Sequence, residues 1–155
     1  MINRNIRVVN LLVFLALLST ACSFEARAEL KKNKEIWLAH EIRNYQYDLE
    51  PVYFGDVIYL YKYPLTVIVL NGQPVSVRDK TGMELEQKHK EDIKEYSTID
   101  GVLSFVENAI NSNPDKLNIS YDPVYGFPAL VDIYYHFGVT DDGIRLTITN
   151  FKELK

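Results

Sequence analysis

The sequence predicts an α+β domain in which two helices pack on an antiparallel sheet, and three observations carry that prediction. Two segments repeat apolar residues at helical spacing. Several short segments rich in tyrosine, valine and isoleucine alternate apolar with polar residues, the period of a half-buried strand. An Asn-Gly pair joins two of those segments at tight-hairpin distance, which sets one antiparallel pairing.

The first 21 residues stand outside this fold. Arg4 and Arg7 precede Val8 to Leu18, a run interrupted only by Asn10, and small residues follow. That order describes an export signal; a bilayer-spanning helix needs roughly 20 apolar residues. "LSTAC" resembles the bacterial lipobox, in which a cysteine receives a diacylglyceryl group and becomes the new N-terminus. Cys22, the only cysteine, is then a lipid anchor, and residues 22–29 are anchor and tether to a domain over 30–155. Ser19 stands where a lipobox usually has leucine. Ser19-Thr20-Ala21 and Ala26-Arg27-Ala28 also suit ordinary signal peptidase, so a freely secreted or periplasmic protein is the alternative to an anchored one facing the periplasm or at the outer membrane. The removed segment carries both arginines and no acid, so the formal net charge falls from −4 to −6. Such acidity, with no basic cluster in the sequence, argues against nucleic acid and against docking on anionic lipid.

Within the domain, residues 30–43 place Leu30, Ile36, Trp37 and Ile42 on one side of a helix. Tyr45, Tyr47 and Leu49 share one strand face. "DVIYLYKYP" alternates again, with Val57, Tyr59, Tyr61 and Tyr63 on one side. "LTVIVLNGQPVSVRD" reads as a hairpin about Asn71-Gly72, with Pro74 at a strand start or on an edge. Residues 80–96 turn to charge and read as a solvated loop or short helix. Ser97 or Thr98 caps the second helix, with capping-box spacing from Ser97 to Asp100. Ile99, Val102, Leu103, Val106 and Ile110 form its apolar stripe, and Asn113-Pro114 ends it.

Three more strands close the domain. "LNISY" buries Leu117, Ile119 and Tyr121. "ALVDIYYHF" buries Val131, Ile133, Tyr135 and Phe137 and turns Asp132, Tyr134 and His136 outward. "IRLTITNF" directs Ile144, Leu146 and Ile148 inward after a turn at Thr140-Asp141-Asp142-Gly143. Each half therefore reads as a helix followed by strands. "YQYDLEPVYFG" and "ISYDPVYGFP" share a theme that raises the prospect of two related halves.

The candidate site is the hairpin Tyr121, Asp122, Pro123, Tyr125, Gly126, Phe127 and Pro128. Proline fixes φ and glycine admits positive φ, so the string builds a special turn. Its tyrosines either cover the sheet or form a recognition edge. Trp37, Tyr45-x-Tyr47, the Asn-Gly hairpin, "STIDGVLSFVENAI", "YDPVYGFPALVDIYY" and "DDGIRLTITNF" together resemble a family of small bacterial secreted or lipoprotein domains of unknown function. That family is marked by a Thr-Ile-Asp-Gly helix start and a Tyr-Asp-Pro-x-Tyr-Gly-x-Pro motif. The likeness spans residues 35–151 and implies export and fold, with no activity attached. Relatives carry cysteine near "LEPVYFGD", where this chain has none, so no disulfide or metal role carries over.

Chemistry-bearing motifs are few. His40, His89 and His136 stand far apart with no ligand spacing, so neither a metal nor another cofactor is expected. There is no nucleophile elbow or phosphate loop. The leading expectation is a non-catalytic binding module anchored in the membrane through a lipid on Cys22, with an envelope protein as partner. The competing expectation is an envelope hydrolase or other enzyme whose site is assembled from distant polar residues.

Overall fold

A computed structural model describes residues 24–53, 63–136, 139 and 142–155. The expected export signal, Cys22, most of "DVIYLYKYP", Phe137 and the Thr140-Asp141 half of the last turn lie outside those residues. Helix α1 covers residues 24–39. Strands β1 (Tyr45–Tyr53), β2 (Leu65–Leu70) and β3 (Gln73–Arg78) follow, then α2 (Gln87–Asp92), a 3-10 turn (Lys94–Tyr96) and α3 (Ile99–Ser112). The chain ends in β4 (Lys116–Tyr121), β5 (Pro128–Tyr134) and β6 (Gly143–Glu153). The fold is α+β, and the described residues hold three helices, α2 being the short helix that the charged connector allowed. None of the described helices is long and apolar enough to cross a membrane.

All six strands form one antiparallel sheet in the order β3-β2-β1-β6-β5-β4. Each half contributes a helix and a three-stranded meander, and the meanders join through β1 and β6. The two Tyr-Asp strings occupy different places: Tyr47-Asp48 lies inside β1, Tyr121-Asp122 where β4 leaves the sheet.

Period-two alternation selects the core face. Tyr45, Tyr47 and Leu49 oppose Val69, Val67 and Leu65, and Val131 and Ile133 oppose Leu146 and Ile144; all are buried. Leu30 and Trp37 of α1 and the stripe Ile99, Val102, Leu103, Val106, Ala109 and Ile110 of α3 complete the core. In β6 a bulge at Asn150, which has φ 52°, shifts the register against β1. The extra residue brings Phe151 to the core side after Ile148, where it packs on Tyr45 at 5.6 Å. Tyr45 and Tyr47 reach further than a strand tyrosine need. The Tyr45 hydroxyl accepts from the Ile99 N–H at 3.0 Å, and the Tyr47 hydroxyl donates to the Tyr96 carbonyl at 2.6 Å. Burial above all pushes the Tyr45 pKa up to about 12 and that of Tyr47 well upward.

Local chemistry departs from expectation in five places. Residues 24–29 continue α1 instead of forming a tether. Thr98 is the cap of α3, its hydroxyl accepting from the Gly101 N–H at 3.0 Å. The Ser97–Asp100 capping box does not form, because Ser97 donates back to the Lys94 carbonyl and Asp100 accepts from the Trp37 indole at 3.1 Å. Leu117, Ile119 and Tyr121 are only half-buried, since β4 is an edge strand with one neighbour. Asp132 belongs to the outward set yet is buried, because Lys116 and Arg145 close over it. The charged connector also contributes Leu85, Ile93 and Tyr96 to the core.

The Asn71-Gly72 turn has φ 52° and 76°, the pair of positive values expected of a tight hairpin, and Pro74 lies on edge strand β3. That edge is held by Glu84, which accepts from Ser76 Oγ at 2.6 Å, the Val77 N–H at 3.1 Å and Lys90 Nζ at 2.7 Å. Partial burial pushes its pKa up, but these donors outweigh it and bring the carboxyl down to about 2. A carboxyl with a lowered folded-state pKa stabilises fully above its unfolded value near 4.5 and loses that contribution as pH falls toward 2. Glu84→Gln is therefore expected to lower the urea midpoint at pH 7. The gap between variant and parent should close as pH falls from 4.5 toward 2, and a pH-independent gap would refute the assignment.

Candidate functional site

The expected hairpin is assembled as a corner between sheet and helix. Asp122 Oδ1 accepts from the Val124 and Tyr125 N–H groups at 2.9 and 2.8 Å. Its carbonyl accepts from the Gly126 N–H at 2.9 Å and its own N–H donates to the Phe127 carbonyl at 2.8 Å. Gly126 has φ 76°, and a Cβ there would lie 2.4 Å from the Asn33 carbonyl oxygen and 2.9 Å from Ile36 Cβ. The missing side chain is the space α1 occupies. Phe127 and Pro128 are buried, while half-buried Tyr125 packs 5.1 Å from His40 and 4.8 Å from Phe151. Phe127 meets Phe151 at 4.9 Å and Trp37 edge-on at 6.5 Å. Tyr121, half-buried at the end of β4, has its pKa raised by burial and by the charge of Glu29. Pro123 and Val124 stand exposed at the tip.

The Thr-Ile-Asp-Gly helix start is explained by packing as well. Thr98 caps, the Ile99 N–H meets Tyr45, and Asp100 ties α3 to Trp37 of α1. Gly101 lacks the Cβ that would stand 2.5 Å from the Glu95 carbonyl.

A second set of polar groups lies on the sheet face away from α1 and α3. Asp48 on β1 accepts from Thr66 of β2 and Asn150 of β6, both at 2.8 Å. Asp132 Oδ2 accepts from Lys116 of β4 at 2.8 Å and Arg145 of β6 at 3.3 Å. Burial pushes the Asp132 pKa up, but the two cations hold it below the ordinary carboxylate range. Each carboxylate thus bridges three strands. Glu50 and Thr149 are exposed between them, and Asn118 and Ser120 toward the β4 edge. In the sequence these were only the outward half of each alternation; their gathering depends on the pairing of β1 with β6.

The three histidines do not converge. His40 Nε2 lies 3.0 Å from the Val124 carbonyl. His136 pairs through Nδ1 with Asp142, a hydrogen bond that raises its pKa. His89 stands on α2. Among the described residues no group of three or more His, Cys, Asp or Glu side chains is placed to hold a metal ion. One cleft of about 410 Å³ is lined by Trp37, Leu38, Glu41, Ile42, Arg43 and Asp100. Another, of about 360 Å³, runs between α1 and α3, with Leu30 and Ile110 in its lining and Arg27, Lys31, Lys34 and Glu107 beside them.

These features define a small α+β domain with α1 and α3 on one face of an antiparallel sheet and a hydrogen-bonded polar face on the other. The chain belongs to the family of unknown function DUF6174, whose match covers residues 29–153, from within α1 to the end of β6. No curated protein and no solved structure matches it.

Proposed function

We propose that the chain is an exported envelope protein, anchored through a lipid on Cys22, whose domain is a non-catalytic binding module for a hydrophilic partner. The anchor rests on the basic start, the apolar run and "LSTAC". The binding reading is carried by the polar sheet face, opposite the core residues of α1 and α3: its bridged carboxylates hold it rigid, so little entropy is lost on binding there.

Two measurements test the two parts. Cys22→Ser should abolish labelling by a fatty-acid analogue and leave unprocessed precursor; normal processing of an unlabelled parent would favour a freely secreted form. For binding, the anchored protein is captured from its own envelope and the co-purifying molecules are identified by mass spectrometry. Glu50→Arg with Thr149→Arg should weaken recovery of a specific partner by about tenfold, the equivalent of 1.4 kcal/mol, with the melting temperature unchanged. Undiminished recovery would move the binding surface elsewhere.

A further inference from the structure

Because α1 already runs at residue 24, little chain separates the domain from the proposed anchor. Cys22 and Phe24 are two residues apart, so their Cα atoms lie within about 7 Å of each other. An acylated Cys22 would hold the first turn of α1 at the headgroup layer.

The surface α1 brings there is sorted by helical spacing. Phe24, Arg27, Lys31, Lys34 and Leu38 recur at intervals of three and four and so form one stripe. Phe24 is 75% exposed and Leu38 58%, at opposite ends of the stripe. Between them Arg27 and Lys31 are exposed, and Lys34 pairs with Glu107 of α3 at 3.1 Å. Glu35 lies at the margin, while Glu25 and Glu29 fall on another side of the helix. The formal net charge, −6 once the first 21 residues are removed, conceals this local arrangement. The cleft between α1 and α3 borders the same stripe, placing apolar Leu30 and Ile110 beside its cations. Exposed apolar ends with cations between them suit the headgroup boundary, where rings and aliphatic chains enter the acyl edge and Lys and Arg meet phosphate.

We propose that α1 lies flat on the phospholipid surface through Phe24, Arg27, Lys31 and Leu38, so that the helix layer faces the membrane and the polar sheet face points away from it. This rests on the anchored reading of Cys22. It supplies an orientation that a flexible tether would not.

The test uses the acylated full chain, whose only native thiol is then blocked, reconstituted in vesicles of phosphatidylethanolamine and phosphatidylglycerol with brominated acyl chains. A fluorophore is attached through Leu38→Cys or, on exposed β4, through Asn118→Cys. Quenching at 38 should exceed that at 118 by at least about threefold, because an interfacial helix sits within roughly 5–10 Å of the acyl boundary. Adding Arg27→Glu and Lys31→Glu should bring position 38 down to the level of 118 without changing the melting temperature. Equal quenching at the two positions on an acylated chain would overturn the orientation alone, and unaltered quenching in the double variant would remove the two cations from it. An N-terminal peptide lacking the acyl mass would overturn the anchor and the orientation together.

Discussion

Gly126→Val is expected to destabilise the domain by about 3 kcal/mol or more, because backbone strain and a steric clash act at one position. A β-branched residue is strained at φ 76°, and its Cβ would stand 2.4 Å from the Asn33 carbonyl. That oxygen belongs to α1 backbone and cannot move without lifting the helix from Phe127, Tyr125 and Phe151. Gly126→Ala separates the two causes. Conformation alone would cost alanine about 1–2 kcal/mol, whereas the close approach predicts a considerably larger loss, since the clashing atom is Cβ itself. Urea midpoints decide, and an alanine variant close to the parent would show that α1 has room to adjust.

Val106→Asp is expected to unfold the domain at 25 °C. Val106 is fully buried at the centre of the α3 stripe, and an unpaired carboxylate there costs several kcal/mol, comparable to the whole stability of many small domains. Glu91→Ala, on exposed α2, should change stability by less than about 0.5 kcal/mol. Circular dichroism and denaturant midpoints should separate the pair widely, and similar shifts would mean that α3 presents a different face to the sheet.

Legibility followed the range of the forces involved. The strands Tyr45–Leu49, Leu65–Val69 and Ile144–Ile148 and the α3 stripe were readable because alternation and helical periodicity are local consequences of burial on one side. Asn71-Gly72 was readable because its φ requirement lies within two residues. Leu85, Ile93 and Tyr96 were not, since isolated apolar residues among charges carry no period. Thr98 prevailed over Ser97 as cap because its backbone is extended while Ser97 closes the preceding 3-10 turn, and Asp100 is drawn to Trp37, 63 residues earlier. At the candidate hairpin the turn chemistry of Asp122 and Gly126 was legible. Its dependence on α1 was not, because Asn33 and Ile36 approach it only in three dimensions. The polar face was hidden for the same reason: Asp48 and Asn150 stand 102 residues apart.

That separation bears on how the molecule is made. β1 has β2 on one side, but its other neighbour is β6, the last of the six strands in chain order. Until β6 pairs, the growing chain carries two partial sheets, each with an open hydrogen-bonding edge exposed to other chains. Such high contact order predicts slow, late folding and a need for protection during the wait. Losing β6 would also remove the centre of the sheet rather than trim its margin, since β6 alone joins β1 to β5.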